Sequence, residues 1–171
     1  EVQDRIFRES EGLPLFVTEY VLAAQAGDVT VGQAVPTEAH TFLGARMSGV
    51  GAVARQVLGA AAAIGRSFDF DTVLAASGRS DEEAVAALEE LVEHGLVRQA
   101  DTADARYEFS HQILRELVYE ETSPARRGLL HRRIAASLPR RGETAALTAQ
   151  QLRLAGEPRE AAEEFRIAAE H

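Results

Sequence analysis

The fold is decided by residues 80–138, which read SDEEAVAALEELVEHGLVRQADTADARYEFSHQILRELVYEETSPARRGLLHRRIAASL. The first part predicts a helix that begins at Ser80, because Ser80 and Glu83 have the spacing of a capping box. Gly95 predicts its end, since glycine commonly follows the last turn of a helix. Helical spacing predicts a core stripe made of Val85, Leu88, Leu91 and Val92.

Two short strands and two more helices are predicted after Gly95. The strands span 96–99 and 106–109 and flank a polar hairpin tip at 101–105. Ser110 is expected to cap the next helix, which would bury Ile113, Leu114, Leu117 and Val118. Ser123-Pro124 predicts the start of a further helix, because proline is favoured at the first helical position. This order of helix, hairpin and helix predicts a winged helix.

The charges of this stretch argue against base reading. Residues 81–93, in the position of a DNA-reading helix, hold six acids and no base. A phosphate backbone would repel them, and Asp101 and Asp104 at the hairpin tip add to the repulsion. We therefore expect regulation or protein docking, with direct DNA binding by this segment unlikely.

Residues 123–141 hold six arginines and no acid. We interpret them as a solvated helix face that attracts the acidic helix or a neighbouring domain. The candidate partner-binding residues are Arg126, Arg127, Arg132 and Arg133. The alternative, a nucleic-acid patch, is weakened by the scarcity of aromatic residues that could stack on bases.

The pattern predicts a mainly α fold in three parts. Residues 1–37 read as a helical lid segment and linker, 38–122 as the winged-helix domain, and 123–171 as an Arg-rich helix followed by the start of a tetratricopeptide-like repeat. Helices are expected at about 38–46, 50–64 and 71–76. In the last predicted helix, at 158–170, Ala161 precedes Phe165 by one turn, a spacing that suits paired repeat helices and predicts that further repeats follow.

Composition sets limits on function. The 171 residues are 46% hydrophobic, carry a net charge of −9 and include no cysteine. The charge disfavours a general nucleic-acid binder, and disulfides and cysteine-based sites are excluded. No apolar run approaches the roughly 20 residues that span a bilayer, and no charged-then-apolar leader is seen, so we expect a cytoplasmic protein without membrane contact. The start at Glu1 indicates that the sequence is part of a longer chain. His40 and His94 have no partners at metal-ligand spacing, so a zinc site is not expected.

Three segments resemble the C-terminal part of the signal-transduction ATPases with numerous domains (STAND ATPases), as in LuxR-type and antibiotic-regulator-type transcriptional regulators. Glu11-Gly-Leu-Pro-Leu-Phe16 resembles the Gly-x-Pro motif of the lid. Residues 88–97 (LEELVEHGLV) resemble the winged-helix core. The most specific segment joins Tyr107-Glu-Phe-Ser-His111 to residues 114–119 (LRELVY), Arg126-Arg127 and residues 130–134 (LHRRI).

The resemblance implies a nucleotide switch. In this class the lid and winged helix close over ATP or ADP held by an upstream ATPase domain of the same chain. Pro14 and His111 stand at positions similar to those that contact adenine and the ADP β-phosphate. No P-loop is possible because the chain contains no lysine, so the segment itself is expected to be non-catalytic and to hold no cofactor. An inducer or protein partner would bind the helical repeat.

Other interpretations remain open at this stage. Pro14 can simply set a helix start, His111 can be a polar residue at a helix start, and His131 is best read as structural. The chain could also be a DNA-binding winged-helix regulator, a regulatory segment fused to a nucleotide cyclase or kinase, or a self-associating scaffold.

Overall fold

A computed structural model describes residues 43–100, 106–139 and 142–169. The lid segment and linker predicted at 1–37, with Pro14, lie outside these residues, and so does the hairpin tip at 101–105. Within the described residues the protein is mainly helical with one small antiparallel sheet, which confirms the predicted fold class.

The elements follow one another in the order of a winged helix. A short helical segment at 43–47 precedes three helices and three strands: α1 (Ala52–Ile64), β1 (Ser67–Phe68), α2 (Phe70–Ser77), α3 (Asp81–Glu93), β2 (Val97–Gln99) and β3 (Tyr107–Phe109). Four helices complete the chain: α4 (Gln112–Glu121), α5 (Pro124–Ser137), α6 (Gly142–Leu154) and α7 (Pro158–Ala169). In the sheet, β3 lies between β1 and β2 and pairs antiparallel with both.

The centre of the core is α1, which contacts α2, α3, α4 and α5. Val57, Leu58 and the alanines at 60–63 are all buried. Alanine adds little width to a helix, so neighbouring helices can approach α1 closely. Phe68 and Phe109 close the core from the sheet, with ring centroids 6.2 Å apart.

The buried side of α3 differs from the predicted stripe. Leu88 and Leu91 are buried as expected, but Val85 and Val92 are 44% and 41% exposed. The other buried positions are Ala84 and Ala87. Helix α3 therefore turns its small side chains toward the alanine-rich α1, where larger ones would hold the two helices apart.

Several predicted boundaries shift by one or two residues. Helix α2 begins at Phe70 rather than at residue 71, and Asp69 caps it: the Asp69 carboxylate accepts the Thr72 backbone N–H at 2.8 Å. The N-cap of α4 is His111 rather than Ser110. Strand β1 was not predicted, because two residues are too few to show alternation.

Gly95 ends α3 in a left-handed turn with φ 64°. The backbone N–H of Leu96 donates to the Leu91 carbonyl at 3.0 Å, which is the long hydrogen bond of a Schellman motif. Arg46, from the 43–47 segment, donates to the carbonyls of His94 and Gly95 at 3.2 Å. A guanidinium is favourable there because the C-terminus of a helix carries partial negative charge.

Helices α5 and α7 begin at Pro124 and Pro158, as predicted. Ser123 caps α5 by accepting the Arg126 backbone N–H at 3.4 Å, with Pro124 in the first turn. Helix α5 packs on α2, and α6 packs between α5 and α7. In α7, Ala161 is buried whereas Phe165 is 45% exposed, so the hairpin of α6 and α7 leaves an aromatic ring facing outward.

Candidate functional site

Helix α3 occupies the position of a DNA-reading helix, between α2 and β2, and its start is fixed by the predicted capping box. The Ser80 hydroxyl accepts the Glu83 backbone N–H at 3.3 Å, and the Glu83 carboxylate accepts the Ser80 N–H at 3.1 Å. Three acids in the first turn also suit the positive end of the helix dipole. The acids at this end therefore stabilise the helix whether or not they meet a partner.

The outward side of α3 mixes carboxylates with exposed valines. We call this surface the α3 outer face, and it consists of Glu82, Val85, Glu89, Val92 and Glu93. All five side chains are exposed, and their spacing places them on one side of the helix. No base lies among them. In water two like charges 4 Å apart repel by about 1 kcal/mol, so a phosphate backbone laid against three such carboxylates would be disfavoured.

Two other acids of α3 are used within the domain. The Glu90 carboxylate accepts the Gly51 backbone N–H at 2.6 Å, one of the N–H groups at the start of α1 that have no partner within the helix. Gly51 is the N-cap residue of α1 but has no side chain to accept a first-turn N–H, and α1 carries no acid in its first turn. Glu83 lies 3.7 Å from the Arg79 guanidinium. The acidic residues of α3 thus form two groups: some make structural contacts within the domain, and others lie on the α3 outer face.

The four arginines predicted to bind a partner point in different directions. The Arg127 guanidinium lies 5.0 Å from the centroid of the Tyr119 ring. Arg132 pairs with Glu157, whose pKa is lowered by a hydrogen bond with Glu160 and by the Arg132 charge. These two arginines are therefore engaged within their own chain.

Arg126 and Arg133 lie together on another side of α5. Arg133 donates to the carbonyls of Ala76 and Ser77 at 3.3 and 3.0 Å, at the C-terminus of α2. Arg126 is exposed, and both line one pocket. Among the described residues, no hydrogen bond or ion pair joins an acid of α3 to an arginine of α5, so the expected attraction between these two blocks is not realised as a contact. Binding of an external partner by the four arginines stays a prediction.

A buried polar network joins α4, α5 and α6 at His131, which is only 2% exposed. Its Nε2 lies 2.8 Å from the Tyr119 hydroxyl, and its Nδ1 lies 2.7 Å from Gln151 Oε1. A neutral ring satisfies both contacts: Nδ1–H donates to Gln151 and Nε2 accepts from Tyr119. Burial lowers the pKa of His131, the Gln151 hydrogen bond opposes this, and the Arg127 charge adds to the lowering. The structural interpretation of His131 is confirmed.

His111 stands at the N-terminus of α4, as a nucleotide-contacting residue would. Its side chain is half-buried and makes no cap hydrogen bond to the helix. Backbone N–H groups in the first turn of a helix can bind an anion such as a phosphate. Contact between His111 and a nucleotide remains a prediction.

Sequence reasoning missed the contacts that depend on tertiary packing. These include Glu90 with Gly51, 39 residues apart, and Arg79 with Gln56, 23 residues apart. No local pattern indicates them. The absence of a capping residue at Gly51 is the one available signal, since it leaves the first turn of α1 in need of an acceptor from elsewhere.

The described residues contain no group of His, Asp and Glu that could hold a metal ion. Among the same residues no helix is long and apolar enough to cross a bilayer.

Part of the chain matches a known protein family. Residues 52–114 match the family described as a winged helix-turn-helix domain, and this span runs from the start of α1 into α4. No curated protein and no solved structure matches the chain significantly. The match agrees with the observed order of helices and strands. Residues 52–114 therefore form a winged helix-turn-helix domain, which indicates a regulatory role of the kind found in transcription regulators.

Proposed function

We propose that this chain is a non-catalytic regulatory segment of a STAND-type ATPase that controls transcription, and that its winged helix works through protein contacts. The α3 outer face carries the second part of the proposal. In a DNA reader this surface would enter a groove lined by phosphates, yet it presents three carboxylates and no base. Its exposed Val85 and Val92 give a protein partner apolar area to cover.

The resemblance to STAND ATPases supports the first part. Under this proposal an upstream domain of the same chain holds ATP or ADP, and the winged helix reports which nucleotide is bound. His111 would contact the nucleotide phosphate from the N-terminus of α4, with Pro14 near the adenine. Exchange of the nucleotide would release this contact and let the winged helix move as a unit, a two-state switch.

The α6–α7 hairpin supports a sensor on the C-terminal side. In stacked repeats each helical pair leaves one face for its neighbour. Phe165 is the exposed ring that such a neighbour would cover. The repeat would bind a protein or small-molecule inducer, and the proposed setting is the cytoplasm.

Calorimetric titration of ADP tests the ATPase parentage. The present chain should show little binding, whereas the same chain extended upstream through the proposed P-loop domain should bind ADP, and His111→Ala should weaken that binding. A parent sequence without an upstream P-loop, or submicromolar ADP binding by the present chain alone, would overturn the proposal.

The second candidate is a DNA-binding winged-helix regulator, which the match at residues 52–114 favours. This function would require several exposed arginines, Arg126 among them, to supply the phosphate contacts in place of α3. A gel-shift series at rising salt separates the two candidates, because several phosphate contacts make affinity fall steeply with salt.

A further inference from the structure

A small pocket lined by three arginines lies between α1, the turn that joins α2 to α3, and α5. We call it the arginine pocket; Arg79, Arg126 and Arg133 line it, and its volume is about 200 Å³. Arg126 and Arg133 are seven residues apart on α5, which places them on the same side of the helix two turns apart. The sequence shows them as part of one arginine block, whereas the structure separates them from Arg127 and Arg132 and adds Arg79 from another element.

Two of the three guanidiniums are held in place by the domain. Arg133 is fixed by the Ala76 and Ser77 carbonyls at the end of α2. The Arg133 guanidinium fits there because residue 78 is a glycine, with φ 67°. A Cβ at residue 78 would lie 2.7 Å from Arg133 Nη1. Arg79 donates to the Gln56 side-chain carbonyl. Both side chains therefore lose little conformational freedom when they bind a ligand.

Positive charge exceeds negative charge in the arginine pocket. Among the described residues, Glu83 is the one carboxylate paired with any of the three arginines, at 3.7 Å from Arg79. Leu129 and Leu130 form an apolar part of the wall. Apolar walls strengthen electrostatic attraction by excluding water, so the unbalanced guanidiniums favour an anion at this point.

Size and donor geometry define the class of anion. Pockets for drug-sized ligands have volumes of about 300–1,000 Å³, so this pocket suits one small group. Guanidinium groups present paired N–H donors that match the oxygens of phosphate. We propose that the arginine pocket binds the phosphoryl group of a small phosphorylated ligand.

The test is calorimetric titration of the intact chain at constant ionic strength. One arm uses inorganic phosphate, a second uses glycerol phosphate as a phosphomonoester, and a third uses sodium chloride. The proposal expects saturable binding of the phosphomonoester. Inorganic phosphate should bind more weakly if the organic part of the phosphomonoester adds contacts. The proposal also expects Arg126→Gln to weaken binding about tenfold or more, because hydrogen bonds between a guanidinium and a phosphate are charge-assisted and strong.

Arg132→Gln is the matched control, because Arg132 lies on the same helix but pairs with Glu157. The Arg132→Gln variant should bind the phosphomonoester as tightly as the wild type does. Arg79→Gln is the second pocket variant, and circular dichroism of every variant establishes that it is folded. The absence of phosphomonoester binding, equal loss in Arg126→Gln and Arg132→Gln, or binding of inorganic phosphate alone would each overturn the proposal. So would tighter binding of a 20-base-pair DNA duplex that depends on Arg126, because the pocket would then serve a DNA backbone.

Discussion

Replacing His131 with leucine should destabilise the protein by about 2–4 kcal/mol, because a buried polar group left without a partner costs about 1–3 kcal/mol. His131→Leu removes the partner of Gln151, which is 6% exposed and cannot turn to water without local opening. It also removes the acceptor of the Tyr119 hydroxyl, at a smaller cost, since Tyr119 is only half-buried. Leucine keeps the site filled, so little of the loss should come from a cavity.

Urea denaturation at pH 7.5, followed by circular dichroism, measures this loss. Gln151→Leu should also destabilise the protein, since it leaves the His131 Nδ1–H unpaired. The double variant should cost less than the sum of the single variants by about 1–3 kcal/mol, because two apolar side chains then face each other. Arg132→Gln is the surface control and should change stability by no more than about 0.5 kcal/mol. A loss below about 0.5 kcal/mol in His131→Leu, or strict additivity of the two changes, would refute the network.

Three further predictions concern pH and packing. Because burial lowers the pKa of His131 below its ordinary 6.5, the unfolded chain takes up the proton first, and the free energy of unfolding should fall as pH drops from 6.5 toward the folded-state pKa. Urea titrations at pH 7.5 and 5.5 should show this extra fall in wild type and not in His131→Leu. Gly95→Ala should cost about 1–2 kcal/mol for its left-handed backbone and more for displacing Arg46, which caps α3. Gly156 also has a left-handed backbone, with φ 81°, but no described atom crowds an added Cβ there, so Gly156→Ala should cost the backbone part alone. In urea denaturation, Leu91→Ala should lower the free energy of unfolding by about 2–5 kcal/mol and Val92→Ala by under about 1 kcal/mol. Equal losses would mean that Val92 is buried, as the sequence pattern predicted.

Much of the winged helix could be predicted because its signals are local. The capping box at Ser80, the turn at Gly95 and the Ser123-Pro124 helix start each depend on a few neighbouring residues. The hairpin strands also followed from alternation and composition. Each of these features depends on contacts within one turn of backbone, and such contacts change little with the tertiary surroundings.

The face that α3 turns to the core could not be predicted from the same pattern. The valines and leucines of α3 have helical spacing, but so have Ala84, Ala87, Leu88 and Leu91. Only the alanine-rich surface of α1 decides between these alternatives, since it favours small residues at the contact. Tertiary packing therefore determines which face of α3 is buried, whereas hydrophobicity alone favours burial of the larger side chains.

The arginines show the same limit for a candidate site. Their shared charge predicts one surface, yet Arg127 contacts Tyr119, Arg132 contacts Glu157 and Arg133 contacts the end of α2. Partners 25 to 57 residues away from an arginine leave no local pattern. The arginine pocket likewise needed Arg79, which lies outside the arginine block.

Fluorescence anisotropy of a labelled 20-base-pair DNA duplex at low salt tests the central claim most directly, because nonspecific electrostatic attraction is strongest there. The account predicts no saturable binding by the intact chain. Changing Glu82, Glu89 and Glu93 all to Gln removes the repulsion of phosphate, so any DNA signal should rise rather than fall in this variant. Saturable binding that falls steeply with salt, and that Val85→Glu or Val92→Glu abolishes, would show that the α3 outer face reads DNA and would contradict the account.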